Sequence, residues 1–265
     1  MGYGDDIMAT AEARELKVKN PRAKILVGDG IKEYVSPIFE GNPSISRLKD
    51  IQPGDQVIWL KNYYGCRPYI DYTRSNFNQR VFFKDYNARP GDLYIPDAIQ
   101  SEVDFLLKTE FKKNLLVMIE PNVAMRPNKD WDLNNWQAVV NSLHDNIDFV
   151  QPAYPGASLL QGARPIPTKT FLHGCALLKR SDFFLGSEGG LHHASAALGV
   201  RAIVLFGGRI HPNITGYSNH INIYIEAPDS PCGMFAPCEH CRRCLEKIRP
   251  EQIIELLQEN LNILK

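Results

Sequence analysis

Apolar residues along the chain follow two repeats. Short, nearly unbroken apolar runs stand at residues 23–27, 56–60, 115–119, 147–150, 183–185 and 202–206. Runs of that length and kind predict strands buried on both faces of a sheet. Helical spacing fills much of the intervening chain. It predicts a helix from the glycine-rich start to about Lys19, a second over residues 31–39, ended by Glu40-Gly41-Asn42-Pro43, and a third over 102–111 on Val103, Leu106 and Leu107. Asp132 caps a helix whose Trp136, Val139, Val140 and Leu143 share one face, and Thr168 caps another built on Phe171, Leu172, Cys175 and Leu178. Residues 152–167 read as a loop, and Pro250 and Glu251 open a final helix with Ile253, Ile254, Leu257 and Leu261 as its buried stripe. Strands alternating with helices predict an α/β protein with parallel sheets.

The stretch around which this order turns is residues 183–208, strand, glycine turn, helix and strand, with Leu191, Ala194 and Leu198 at helical spacing. Gly189 and Gly190 stand where the chain passes from strand to helix. Their backbone amides can approach a diphosphate closely, or the pair can simply serve a tight turn. Two other stretches carry chemistry. In residues 62–96, Tyr63, Tyr64, Tyr69, Tyr72, Phe77, Phe82, Phe83 and Tyr86 mix with Arg67, Arg74, Arg80 and Lys84 without a period. This suits a sugar face, a phosphorylated acceptor or a nucleic-acid strand, or else aromatics packed against the sheet. Cys232, Cys238, Cys241 and Cys244 crowd four of the six cysteines into thirteen positions, with His240 among them. Four thiolates at that spacing fit a tetrahedral zinc or iron site, and free thiols are the alternative; redox catalysis lacks its expected context.

Thirty basic and thirty acidic residues cancel over the 265 positions, so no global field recommends nucleic acid or an anionic membrane as partner. No apolar run approaches the roughly 20 residues that cross a bilayer, and the N-terminus has no signal-peptide core. The sequence is therefore expected to be soluble and cytoplasmic.

Residues 187–194, Ser-Glu-Gly-Gly-Leu-His-His-Ala, followed by Ala196-Ala197-Leu198-Gly199 and Val204-Leu205-Phe206-Gly207, resemble the signature of glycosyltransferase family nine, the heptosyltransferases of GT-B fold. The family pattern is an acid, Ser or Thr, Gly, Leu, any residue, then His. Glu188 stands where Asp is commoner, Gly189 where a hydroxyl residue is usual, and His193 matches. Gly4-Asp5 resembles the Gly-Asp that follows the first strand of the family's N-terminal domain, whose Asp is the proposed base. Lys129, two residues before Trp131, resembles the lysine that contacts donor phosphates. Gly207-Gly208-Arg209 replaces a Gly-Pro-Thr loop.

The resemblance implies two Rossmann-like domains facing across a cleft: a reduced acceptor-side domain over residues 1–112, apparently without its first strand, and a nucleotide-sugar domain over 113–265. The missing strand implies either an upstream start or a lost central strand. The last helix is expected to pack back across the junction. The activity implied is inverting transfer of a heptose-like sugar from a nucleoside diphosphate donor to a saccharide, glycolipid or protein hydroxyl, with peripheral membrane contact allowed. Asp5 and Lys129 would be catalytic; Glu188, Gly189, Gly190, Leu191, His193, Gly207 and Arg209 would bind donor; Cys232, Cys238, Cys241 and Cys244 would hold a structural zinc or iron. Catalysis itself would need no cofactor. The competing readings are a non-catalytic nucleotide-sugar-binding or scaffold protein of the same fold, and a zinc-stabilised nucleic-acid module, which the neutral charge disfavours.

Overall fold

The computed structural model describes residues 2–61, 67–108, 111, 113–123 and 128–263. Helix α1 (Tyr3–Lys19) opens the chain, and the Asp5 carboxylate accepts the Gly2 amide at 3.2 Å, closing the helix start where the dipole is positive. Strands β1 (Lys24–Val27) and β2 (Val57–Leu60) pair in parallel, Ile25 opposite Ile58. Among the described residues they make up the whole sheet of the first half.

The helix expected over residues 31–39 does not form. Only a 3₁₀ turn, Pro37–Phe39, lies there, with a second at Leu48–Asp50. Pro37 lacks an amide hydrogen and forces Ser36 into the extended region (φ −138, ψ 142), while Gly28 and Glu33 bridge in antiparallel fashion. Helix α2 (Asp97–Leu107) starts at Asp97 rather than at residue 102. Residues 109, 110 and 112, and with them the expected end of that helix and of the first domain, lie outside the described residues.

The second half is built on six parallel strands. Strand β3 (Leu116–Glu120) leads to helix α3 (Leu133–Leu143), which Asp132 caps through the Asn134 amide at 2.8 Å as expected. Then come β4 (Asp148–Ala153), β5 (Ala163–Pro167), α4 (Phe171–Lys179), β6 (Phe183–Ser187), α5 (Gly190–Ala197) and β7 (Arg201–Phe206). A four-residue helix α6 (Pro212–Thr215), β8 (His220–Tyr224), α7 (Glu239–Glu246) and α8 (Pro250–Leu261) complete the chain. The strand order is β5-β4-β3-β6-β7-β8. Direction of winding reverses between β3 and β6, which places a crevice at their carboxyl ends, Glu120 and Ser187.

Strand β5 lies inside what reads as a loop, because Pro165 and Pro167 mask it. It is the edge strand of its sheet, so a proline on it breaks no outer ladder. Thr170, not Thr168, stands at the start of α4; its hydroxyl lies 2.8 Å from His173 Nδ1, while the Thr168 hydroxyl donates to the Ala153 carbonyl at 3.4 Å.

Two cores flank the large sheet. On one face α1, α2, α4 and α5 bury Ile7, Met8, Val103, Leu172, Cys175 and Ala194 against Met118, Phe184 and Val204. That core also takes in Ile25, Val27 and Leu60, so the two halves share it, α1 packing on α5 and α2 on α4. On the other face α3 and α8 cover Trp131, Trp136, Phe183 and Leu205. The last helix thus stays within its own half, contrary to expectation, because Ile253 and Leu257 find their apolar partners on α3. Side chains of this size each contribute about 1.5–3 kcal/mol on burial. No helix among the described residues is long and apolar enough to cross a membrane.

Candidate functional site

A cleft of about 530 Å³ opens at the β3–β6 switch. Glu120, Pro152 and Ser187 line it from the strand ends, Thr170 and Phe171 from the start of α4, Gly189 and Gly190 from the start of α5, and Gly2, Tyr3 and Gly4 from the start of α1. Three helix N-termini therefore face one space. Each brings the partial positive charge of its helix dipole to a lining that also holds Glu120, Glu188 and Lys129.

The approach of α1 to α5 depends on glycine. A Cβ on Gly4 would stand 2.5 Å from the His193 ring, and one on Gly190 would stand 3.0 Å from the Phe171 ring. Phe171 in turn stacks on Tyr3, ring centres 4.6 Å apart and planes 17° from parallel, so one aromatic from each half closes the side of the cleft.

Lys129 and Glu188 form an ion pair in the cleft wall, their side chains 13% and 8% exposed. Burial disfavours the Glu188 charge, but the cations Lys129 and Arg209 on either side outweigh it and hold the carboxylate below the ordinary range. Beside Glu188, Ser187 lines the cleft, 7% exposed as a residue, and its buried hydroxyl has no hydrogen-bond partner among the described residues. A buried hydroxyl without a partner is a costly group, and here it belongs to a residue of the cleft wall. Sequence reasoning missed it, having looked for the hydroxyl one place after the acid, at Gly189, rather than one place before.

Of the residues singled out from sequence, Lys129, Glu188, Gly189, Gly190 and Leu191 line the cleft. Asp5, His193, Gly207 and Arg209 are not among its lining residues. Asp5 accepts from Arg67 Nε at 3.0 and 2.8 Å and from the Tyr69 hydroxyl at 3.0 Å. His193 Nδ1 lies 2.7 Å from the Tyr217 hydroxyl; burial lowers its pKa to about 4, so the ring is neutral near pH 7. Arg209 is 4% exposed, and its Nε donates to the Met234 carbonyl at 3.2 Å rather than into the cleft. Gly207 is required by the Asn128 carbonyl, which would lie 2.5 Å from a Cβ there. Asp6, the neighbour of Asp5, points the other way: Ser36 donates to it at 2.7 Å, and burial raises its pKa.

The aromatic and arginine segment splits between its two readings. Tyr69 is buried and packs with Phe82 and Tyr86, whereas Phe77 is 79% exposed; Tyr63 and Tyr64 lie outside the described residues. Cys175 is fully buried in the core, where burial pushes its thiol up.

At the cysteine cluster, α7 explains the spacing. Cys238 stands at its N-terminus, and Cys241 and Cys244 follow one turn apart. Cys232 Sγ lies 3.8 Å from Cys238 Sγ and 3.3 Å from Cys241 Sγ, close to the roughly 3.8 Å edge of a tetrahedron with 2.3 Å metal–sulfur bonds. The residue that joins these three within ligating distance is His240, and not Cys244, as the sequence suggested. Cys244 contacts Ser230 Oγ at 3.8 Å and His240 at 3.9 Å instead. Cys244 shares the helix face of Cys241 but lies one turn further on, where its sulfur packs so close to Gly208 that a Cβ there would stand 2.8 Å away.

No protein-family model and no curated protein matches the sequence. Solved structures do match. The family-nine glycosyltransferase from Veillonella parvula is 14% identical with a TM-score of 0.66, over 99% of this chain and 95% of that one. TibC, a dodecameric iron-containing glycosyltransferase of enterotoxigenic E. coli, is 15% identical with a TM-score of 0.66, over 99% and 74%. A second TibC structure, in complex with ADP-D-β-D-heptose, gives 16% and 0.56 over 84% and 65%. For E. coli ADP-heptose heptosyltransferase II the values are 16% and 0.50, over 65% of this chain and 54% of that one, so the match spans about half of that enzyme. The chain has the two-Rossmann, GT-B fold of the family-nine glycosyltransferases.

Proposed function

We propose that this protein is an inverting glycosyltransferase that moves a heptose-like sugar from a nucleoside diphosphate donor to a hydroxyl of a saccharide, glycolipid or protein. The observation that carries this reading is the meeting of three helix N-termini and Lys129 at the carboxyl ends of β3 and β6. Such a site receives a diphosphate and stabilises it as a leaving group, and no divalent cation is required for that role. Residues 113–265 would form the donor domain and residues 1–112 the acceptor side.

In the reaction, the acceptor oxygen attacks the anomeric carbon as the bond to the diphosphate breaks, and the acceptor proton passes to Asp5. Lys129 and the α5 amides at Gly189 and Gly190 take up the charge on the departing diphosphate. Glu188, with Ser187 beside it, would hold donor hydroxyls; the iron reported in TibC supports a structural metal here on Cys232, Cys238, Cys241 and His240. Bound there, zinc or iron would act as a cross-link of the 232–241 segment.

One observation favours the non-catalytic alternative: Arg67 and Tyr69 already occupy both oxygens of Asp5. Incubation with a panel of nucleotide sugars separates the two. Acceptor-dependent release of free nucleoside diphosphate marks the enzyme, and tight donor binding without release marks a binding protein.

A further inference from the structure

We infer that Asn128 is a positioning residue that couples the cysteine cluster to the wall of the cleft, so that the state of the cluster sets where Lys129 and Arg209 stand. Only the consequence for ligand binding rests on the donor reading of the cleft. Asn128 is 1% exposed, and among the described residues its side-chain hydrogen bonds run to the cysteine segment. Nδ2 donates to the carbonyls of Met234 at 3.2 Å and Ala236 at 2.8 Å, and the Cys238 amide donates to Oδ1 at 2.8 Å. Both amide hydrogens and one carbonyl lone pair are thereby used. The next residue in the chain is Lys129, whose ammonium pairs with Glu188 in the cleft.

The same segment grips the loop on the other side. Arg209 Nε donates to the Met234 carbonyl that Asn128 also uses; the Cys232 amide donates to Gly208 at 2.9 Å and the Gly233 amide to Arg209 at 3.0 Å. These loops meet backbone to backbone, since a Cβ on Gly207 would reach the Asn128 carbonyl at 2.5 Å and one on Gly208 the Cys244 sulfur at 2.8 Å. The first half adds a third anchor. The Phe235 amide donates to Asn78 at 2.7 Å and the Arg80 amide to Gly233 at 2.8 Å.

Residues 232–238 therefore form a wedge among three loops, and cysteines hold both of its ends, with Cys232 within 3.8 Å of Cys238. Close packing leaves the wedge no slack, so a change at the cysteines is passed on rather than absorbed. Opening the cluster removes the fixed positions of Met234, Ala236 and Cys238 that Asn128 bonds. Lys129 and Arg209, two of the cations around Glu188, then lose their common support.

Amide hydrogen exchange on the full chain tests this, comparing the purified protein, the protein after chelation with 1,10-phenanthroline, and the Asn128→Ala and Asn128→Asp variants; Asp keeps the acceptor for Cys238 and loses both donors. Chelation and Asn128→Ala are each expected to speed exchange at residues 128–131 and 207–210 at least tenfold while leaving α8 protected, and to raise the Kd for ADP about tenfold, the usual scale for a support behind a ligand site. Unchanged exchange at those residues on loss of metal, or an Asn128→Ala protein that releases metal yet exchanges there and binds ADP as before, overturns the inference. If the purified protein carries no metal, the Asn128 variants against wild type decide alone. If wild type does not bind ADP, the donor reading falls, and the exchange comparison still settles the coupling.

Discussion

Arg67 Nε lies 2.8 Å from one carboxylate oxygen of Asp5 and 3.0 Å from the other, although 62 positions separate them in the chain. The candidate base of one half is thus held by a guanidinium delivered from a loop in the same half, with the Tyr69 hydroxyl as second donor. Burial works against the Arg67 charge, but the Asp5 carboxylate against it outweighs that and keeps the guanidinium protonated.

For Asp5→Asn this predicts loss of turnover by about 10²- to 10⁴-fold, the contribution of a general base, with ADP affinity nearly unchanged because Lys129 and the α5 amides are untouched. Asp6→Asn is the control: its partners are Ser36 and Tyr34, away from the cleft, so turnover is expected to stay within a few-fold. Steady-state assays with titration calorimetry check both, and equal losses at the two positions would assign the effect to the helix start instead.

Lys129→Met should weaken ADP binding and also destabilise the protein, because Glu188 is left charged, buried and without its lysine. Removing one partner of such a pair costs about 3–5 kcal/mol. The double variant Lys129→Met/Glu188→Gln should recover most of the stability in urea unfolding and none of the affinity. Recovery of affinity would place the anion elsewhere.

Gly4→Ala should cost roughly 1–3 kcal/mol in the same assay, since the new methyl meets His193 at 2.5 Å between two packed helices. Gly2→Ala, with nothing within 4 Å of its Cβ, should be neutral. Equal effects would mean that α1 and α5 are less closely docked than their contact implies.

Stability should fall as pH drops from 6.5 toward 4. Burial lowers His193 and His220 to about 4 from an ordinary 6.5 and lowers His192 further, so in this window the unfolded chain takes up protons that the folded chain refuses. Each of His193 and His220 contributes roughly 3 kcal/mol, fully present above pH 6.5. Asp6, raised by burial, acts in the opposite sense. His192 has no partner for either ring nitrogen among the described residues, so His192→Leu should not destabilise at pH 7 and should flatten the acid limb of a thermal unfolding series.

Elemental analysis of tag-free protein should find one metal per chain. Cys232→Ser, Cys238→Ser and Cys241→Ser should each lose it, while Cys244→Ser retains it and His240→Ala does not. Loss with Cys244→Ser and retention with His240→Ala would restore the four-cysteine set.

The sequence by itself determined what depends on local periodicity. The strands expected at 183–185 and 202–206, found at 183–187 and 201–206, the α5 start at Gly190 and the Asp132 cap all follow from apolar runs and capping chemistry within a few residues. It brought Lys129, Glu188 and the two glycines together, and they line one cleft, because strand ends of a parallel sheet converge. It could not see β5, where prolines are tolerated only because the strand lies at an edge, nor the failed helix at 31–39, where Pro37 overrode the apolar pattern. Tertiary structure alone decided the partners: Arg67 on Asp5, Arg209 on Met234, Asn128 on the cysteine segment, and His240 rather than Cys244 beside the thiols. The first three join segments distant in sequence, and the last turns on how α7 is rotated against the Cys232 loop. Their directions are set by where close packing leaves room, and no spacing along the chain encodes that.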